Sequence, residues 1–238
     1  MRAARLASLV AACACVAAAA ADFEIRSPAV DVRELELDYK LAAARDHARS
    51  HVVELEYGVN EWWSPAVEGE WVRDPGAGGN SRFEATTFEN RFRLSPRGAR
   101  WGDLGLFVEV ERGAGRGPHA LRAGPMLRVR MGPTTSLLNV FAVRERGAGS
   151  RNATAYTYAW QTRWNLSERL QPGFEIYGGA LEAGVASPKR RLGGPVLFGV
   201  LDMPGAQDVR YEVGYLRALD AQAVRATFKL LVGYERTF

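Results

Sequence analysis

Apolar and polar residues alternate along most of this chain. Leu35, Leu37, Tyr39 and Leu41 alternate with Glu34, Glu36, Asp38 and Lys40, and Val53, Leu55, Tyr57 and Val59 alternate with Val52, Glu54, Glu56 and Gly58. A period of two sends successive side chains to opposite faces of an extended backbone, so each stretch is a strand with one apolar face. The same period predicts strands near 65–73, 82–94, 101–111, 119–131, 136–145, 152–166, 172–180, 192–201, 208–217 and 224–238, twelve with the first two. The connections are turn-forming clusters: "NEWWSP", "DPGAGGNS", "SPRGAR", "ERGAGRGP", "GPTTS", "ERGAGSRN", "SERLQP" and "DMPGAQD". Each strand has roughly the ~9–11 residues that a tilted strand needs to cross a bilayer.

The first residues follow a different pattern. Arg2 and Arg5 precede an Ala-, Leu- and Val-rich run from Leu6 to Ala21, closed by small residues before Asp22. This is the form of a secretory signal peptide, predicted over 1–21. Both cysteines, Cys13 and Cys15, fall inside it. The exported chain therefore has neither disulfide nor thiolate metal site. No linker or charge block divides the rest, so one domain is expected, with 22–30 as a lead-in and 31–238 as the β-domain.

Alternation alone does not say whether the apolar face is an inside or an outside. A soluble periplasmic barrel or sandwich serving as a binding module would bury it. Three features favour the inverted arrangement. The chain carries an export signal. Trp62, Trp63, Trp101 and Trp164 stand at or beside strand ends, where interfacial girdles lie. The last strand alternates Phe228, Leu230, Val232 and Tyr234 with more polar positions and runs on to Phe238.

With these features the chain resembles bacterial outer-membrane β-barrel proteins, of a small porin-like kind. The resemblance implies an all-β fold: a closed, antiparallel, up-and-down transmembrane barrel of about 12 strands in the outer membrane of a two-membraned bacterium. It also implies that Phe228, Leu230, Val232, Tyr234 and Phe238 form the signal read by the barrel assembly machinery, although Arg236 stands where that pattern has an apolar residue. In such a barrel 22–30 is a periplasmic lead-in. The turns near 60–65, 95–100, 132–135, 167–171 and 202–207 are then periplasmic too.

Charge changes the picture of the interior. Residues 22–111 hold 18 acidic and 11 basic side chains, while 112–238 hold 9 and 18. Consecutive strands are neighbours in a meander, so an acidic wall with Glu54, Glu56, Glu68 and Glu70 faces a basic one with Arg122, Arg128, Arg130, Arg163, Arg210 and Arg225. These are the pore-lining candidates. The favoured reading is a narrow water-filled pore for passive diffusion of small polar or anionic solutes, since the charges outnumber what pairing across segregated walls would satisfy. The alternative is a non-conducting structural barrel cemented by ion pairs.

Other chemistries find little support. A phospholipase-type barrel needs an adjacent Ser and His on the outer wall, but Ser50 and His51 have opposite parity. No catalytic residue, cofactor or metal site is assigned; the three histidines are scattered. Basic residues are interleaved through strands, which argues against nucleic acid despite a pI near 9.3. The repeated Glu-Arg-Gly-Ala-Gly at 111–115 and 145–149 fits no nucleotide motif and is read as loop sequence. Outer-membrane lipid and lipopolysaccharide are the expected surroundings, with Lys189, Arg190 and Arg191 a solvated cluster that could meet phosphates.

Overall fold

The computed structural model describes residues 23–45, 47–74, 79–97, 99, 102–115, 117–147, 150, 154–179, 191–219 and 226–238. Its strands are β1 (Glu34–Ala44), β2 (Arg49–Tyr57), β3 (Trp63–Arg73), β4 (Ser81–Arg93), β5 (Asp103–Gly113), β6 (His119–Met131), β7 (Thr134–Arg146), β8 (Thr154–Trp164), β9 (Gln171–Gly179), β10 (Leu192–Met203), β11 (Gln207–Ala218) and β12 (Ala226–Thr237). Each pairs antiparallel with the next, and β12 returns to β1 in a register running from Glu34 opposite Thr237 to Ala44 opposite Thr227. The result is a closed 12-stranded barrel without a free edge.

Register and exposure settle which face is outside. Leu37, Leu55 and Phe88 are 47%, 44% and 50% exposed, whereas Asp38, Glu54 and Glu89 are 1%, 2% and 1% exposed. A barrel with a leucine and phenylalanine exterior and a carboxylate interior is inside-out relative to a water-soluble one. The soluble binding-module alternative fails on this observation. Among the girdle tryptophans, Trp62 and Trp164 are exposed at one rim, and Trp63 donates from Nε1 to Asn90 Oδ1 at 3.0 Å. Trp101 lies outside the described residues.

Parity fails at one strand position. Between β3 and β4 the register shifts at Glu70/Trp71, so that Trp71 opposes Phe83 and Glu84 is left in a bulge. An extra residue in one strand breaks the alternation there, and Glu84 pairs with Arg82.

The larger departure concerns residues 23–33. The sequence reading placed 22–30 at the periplasmic rim. In the structure the segment is anchored at that rim by Arg33 N–H on the Gly58 carbonyl and by Phe238 N–H on the Arg33 carbonyl. From there it runs back into the lumen, so that Ile25, Arg26 and Val30 are 5%, 3% and 1% exposed. Two glycines clear its path. A Cβ on Gly58 would strike the Asp31 carbonyl, and one on Gly105 would stand 2.8 Å from Pro28 Cβ. Ile25 packs with Leu137, Tyr177, Leu192, Val196, Phe198 and Leu216, side chains of β7, β9, β10 and β11 that face inward yet are apolar. Their burial against the segment gives the barrel a core.

Candidate functional site: the occupied lumen

Arg26 is the hub of the interior. Its backbone is held by β7: the N–H donates to Asn139 Oδ1 at 2.7 Å, and Asn139 Nδ2 donates to the Arg26 carbonyl at 2.8 Å. Its guanidinium points the other way. Nη1 reaches Glu24 at 2.6 Å and Glu54 at 2.9 Å, while Nη2 reaches Glu68 at 2.9 Å and Glu89 at 2.6 Å. Three of those carboxylates belong to β2, β3 and β4, so one side chain ties three strands of the acidic wall to a segment that is not part of the wall. Lys40 of β1 adds a second cation, 2.5 Å from Glu24, 2.7 Å from Glu68 and in contact with Glu54. The Phe107 ring lies below the Arg26 guanidinium, 5.6 Å from Cζ to centroid.

Three further sets of ion pairs surround this hub. Arg91 pairs with Glu56, which also accepts from Ser64 Oγ at 2.5 Å. Arg210 of β11 meets Glu36 and Asp38 across the β12–β1 seam, with Glu235 at 3.3 Å. Lys229 lies 2.9 Å from both Glu175 and Glu212, and Tyr177 bonds Glu175 at 2.9 Å and the Phe23 carbonyl at 3.0 Å. Near the terminal rim, Asp103 takes Arg93 at 3.1 Å and Arg128 at 2.5 Å.

The sequence-predicted candidates sort by partner. Glu54, Glu56 and Glu68 are buried in the networks just described, and Glu70 accepts from Ser50 Oγ at 2.9 Å. Arg210 and Arg128 are paired, and Arg122 lies 2.8 Å from Glu109. Arg163 lies 5.9 Å from the Phe198 ring centroid, and its Nε is buried without a hydrogen-bond acceptor. Arg130 is exposed at the terminal rim, opposite Thr135, which in turn opposes Arg163. Arg225 lies outside the described residues. The expectation that the charges outnumber what pairing across segregated walls would satisfy does not hold for most of them: Arg210, counted with the basic wall, pairs with Glu36 and Asp38. Cations of β1, β4 and β11 and of the N-terminal segment are interleaved with the acids.

The alternation sets Lys40 on the polar face of its strand but gives neither Arg26 nor Asn139 a role. Groups of carboxylates that could hold a metal ion do form, Glu24/Asp38/Glu54 and Glu54/Glu68/Glu89. Arg26 and Lys40 already supply positive charge there. On the outer wall, Ser50 and His51 point to opposite faces: Ser50 faces Glu70 inside, and His51 Nδ1 is 2.6 Å from the Tyr39 hydroxyl outside. No serine–histidine pair forms between them.

The architecture has known counterparts. An outer-membrane channel from Pseudomonas putida F1 superposes with a TM-score of 0.61 at 11% identity, covering 91% of this chain and 98% of that one. This chain has the fold of the outer-membrane β-barrels. The KdgM porin in complex with disordered oligogalacturonate gives 0.55 at 12% identity, over 85% of this chain and 99% of that one. The translocator domain of the autotransporter NalP from Neisseria meningitidis gives 0.57 at 9%, over 86% and 88%. No protein-family profile matches the chain, and no curated protein matches it in sequence. At such identities the likeness carries the fold; the lumen must be read from its own residues.

Proposed function

We propose that this barrel is an outer-membrane channel for small polar solutes, anions among them, and that residues 23–30 of the chain stop its bore. The observation that carries the reading is the seat of Arg26. Glu54, Glu68 and Glu89 of the wall share a countercharge borne by a separable segment, so withdrawing that segment uncovers an acidic wall facing Arg128, Arg130 and Arg163. Twelve strands enclose more than the ~8 whose interior side chains alone can fill, which leaves room for such a segment. Several similarly folded barrels are channels or porins, and one of them was found with an acidic sugar oligomer. With Phe228, Leu230, Val232, Tyr234 and Phe238 as its assembly signal, the chain would be placed in the outer membrane by the barrel assembly machinery.

The dense ion pairing favours one second reading, a structural barrel that never conducts. Planar-bilayer recording separates the two. In the channel reading, conductance steps shift toward cation selectivity in Arg128→Glu/Arg130→Glu, because the variant reverses two charges beside the route. Absence of steps at every voltage and salt concentration, in this variant and in a chain lacking 23–30, leaves the structural reading.

A further inference from the structure

The outward face of the strands has a one-sided charge pattern that a solute channel does not use. Its charged residues in the described strands are Arg49, Arg73, Arg112, Arg144, Arg146, Arg217 and Arg236, and histidines stand at His51 and His119; no acid occupies an outward register position. All but Arg236 lie toward the rim opposite the termini. They are densest on β5, β6 and β7, where Arg112 opposes His119 and His119 opposes Arg146, with Arg144 opposite Leu121 one step lower. All four are exposed. In sequence, 114–118 and 147–153 contain no carboxylate. Among the described residues no acid pairs with Arg112, Arg144 or Arg146.

Height matters as much as sign. Arg144 stands ten residues along β7 from Thr134, and ten residues of a strand tilted by ~40° rise roughly 25 Å, the thickness of a barrel's apolar band. The arginines therefore sit where hydrocarbon gives way to headgroups. Immediately below them Val110, Leu121, Val140 and Tyr156 are exposed. The repeated Glu-Arg-Gly-Ala-Gly thus has a structural meaning: both copies end a strand with the glutamate inside and the arginine outside, flanking His119.

We infer that the outer end of β5–β7 is a binding site for a phosphorylated glycolipid of the outer leaflet, with Arg112, Arg144 and Arg146 gripping its phosphates and Val110, Leu121 and Val140 meeting its acyl chains. Guanidinium groups pair bidentately with phosphate, and an anionic amphiphile satisfies the charge row and the apolar surface together. The site rests on the outer-membrane reading but not on conduction.

The test is native mass spectrometry of the detergent-solubilised barrel with bisphosphorylated lipid A, and with lipid A stripped of both phosphates. The intact protein should retain the phosphorylated form at least tenfold more strongly. Arg112→Glu/Arg146→Glu should abolish that preference, while Arg217→Glu, elsewhere on the same rim, should keep it. Equal retention of the two lipids by the intact protein, which requires no variant to fold, overturns the site; so does an unchanged preference in the double variant. A protein that needs no detergent would instead overturn the outer-membrane reading itself.

Discussion

Asn139 and Arg26 exchange two hydrogen bonds across 113 positions of sequence, the Asn139 amide taking the Arg26 N–H at 2.7 Å and returning its own N–H to the Arg26 carbonyl at 2.8 Å. A single β7 side chain thereby does for the lumen segment what a neighbouring strand does for a strand. Asn139→Leu leaves both backbone groups buried and unpaired, at a cost of about 1–3 kcal/mol. Hydrogen exchange should then accelerate at residues 25–27 while the β7 ladder stays protected. Unchanged exchange at those amides would show that the pairing does not hold the segment.

Removing the Arg26 charge should release the segment rather than the barrel, because the strands are locked in a closed ladder and the segment is not. Both cysteines of the sequence lie at positions 13 and 15, so a cysteine introduced at Ile25 can report on this once the first 21 residues are absent. A water-soluble maleimide should label Ile25→Cys slowly and Ile25→Cys/Arg26→Ala quickly. Arg26→Lys, which retains a cation but loses the fork that spans Glu54, Glu68 and Glu89, should fall between them. Equal rates in all three would place the segment's hold elsewhere.

The final strand offers a check on assembly. Phe238 is 57% exposed and its ring lies under Arg236, 4.9 Å from Cζ to centroid, so the arginine that departs from the apolar pattern covers the terminal aromatic. Deleting Phe238 should lower the amount of outer-membrane protein whose gel mobility changes on boiling, without reducing export. Normal amounts of the heat-shifting form would remove Phe238 from the assembly signal.

The strands were legible because a residue period of two is a local property. From Glu34 to Lys40 the side-chain parity alone separates Asp38, at 1% exposure, from Leu37, at 47%. The alternation breaks at Glu84, where one extra residue slips the register, which no single-strand pattern records. The lumen segment was illegible for a different reason: Phe23 to Val30 is too short and too irregular to carry a period, and the barrel residues that accept it are scattered over the chain. Its traces are visible in hindsight. Strand β7 is apolar at both parities, with Leu137 and Phe141 facing inward beside Leu138 and Val140 facing outward, as expected of a wall that packs against something. The acidic surplus of residues 22–111 calls for countercharge, and Arg26 of the same stretch supplies part of it to Glu54, Glu68 and Glu89. The excess of acids up to residue 111 and of bases after it is legible in sequence, but the degree of pairing depends on side-chain reach in three dimensions.

The central claim is that a bore exists and that residues 23–30 fill it. Single-channel recording of the intact barrel beside a version lacking those residues tests it most directly, with gel mobility confirming that both are folded. Small or rare steps are predicted from the intact barrel. Larger, frequent and more cation-selective steps are predicted from the shortened one, whose Glu54, Glu68 and Glu89 face water. Equal conductance in the two, or none in either, would contradict the account.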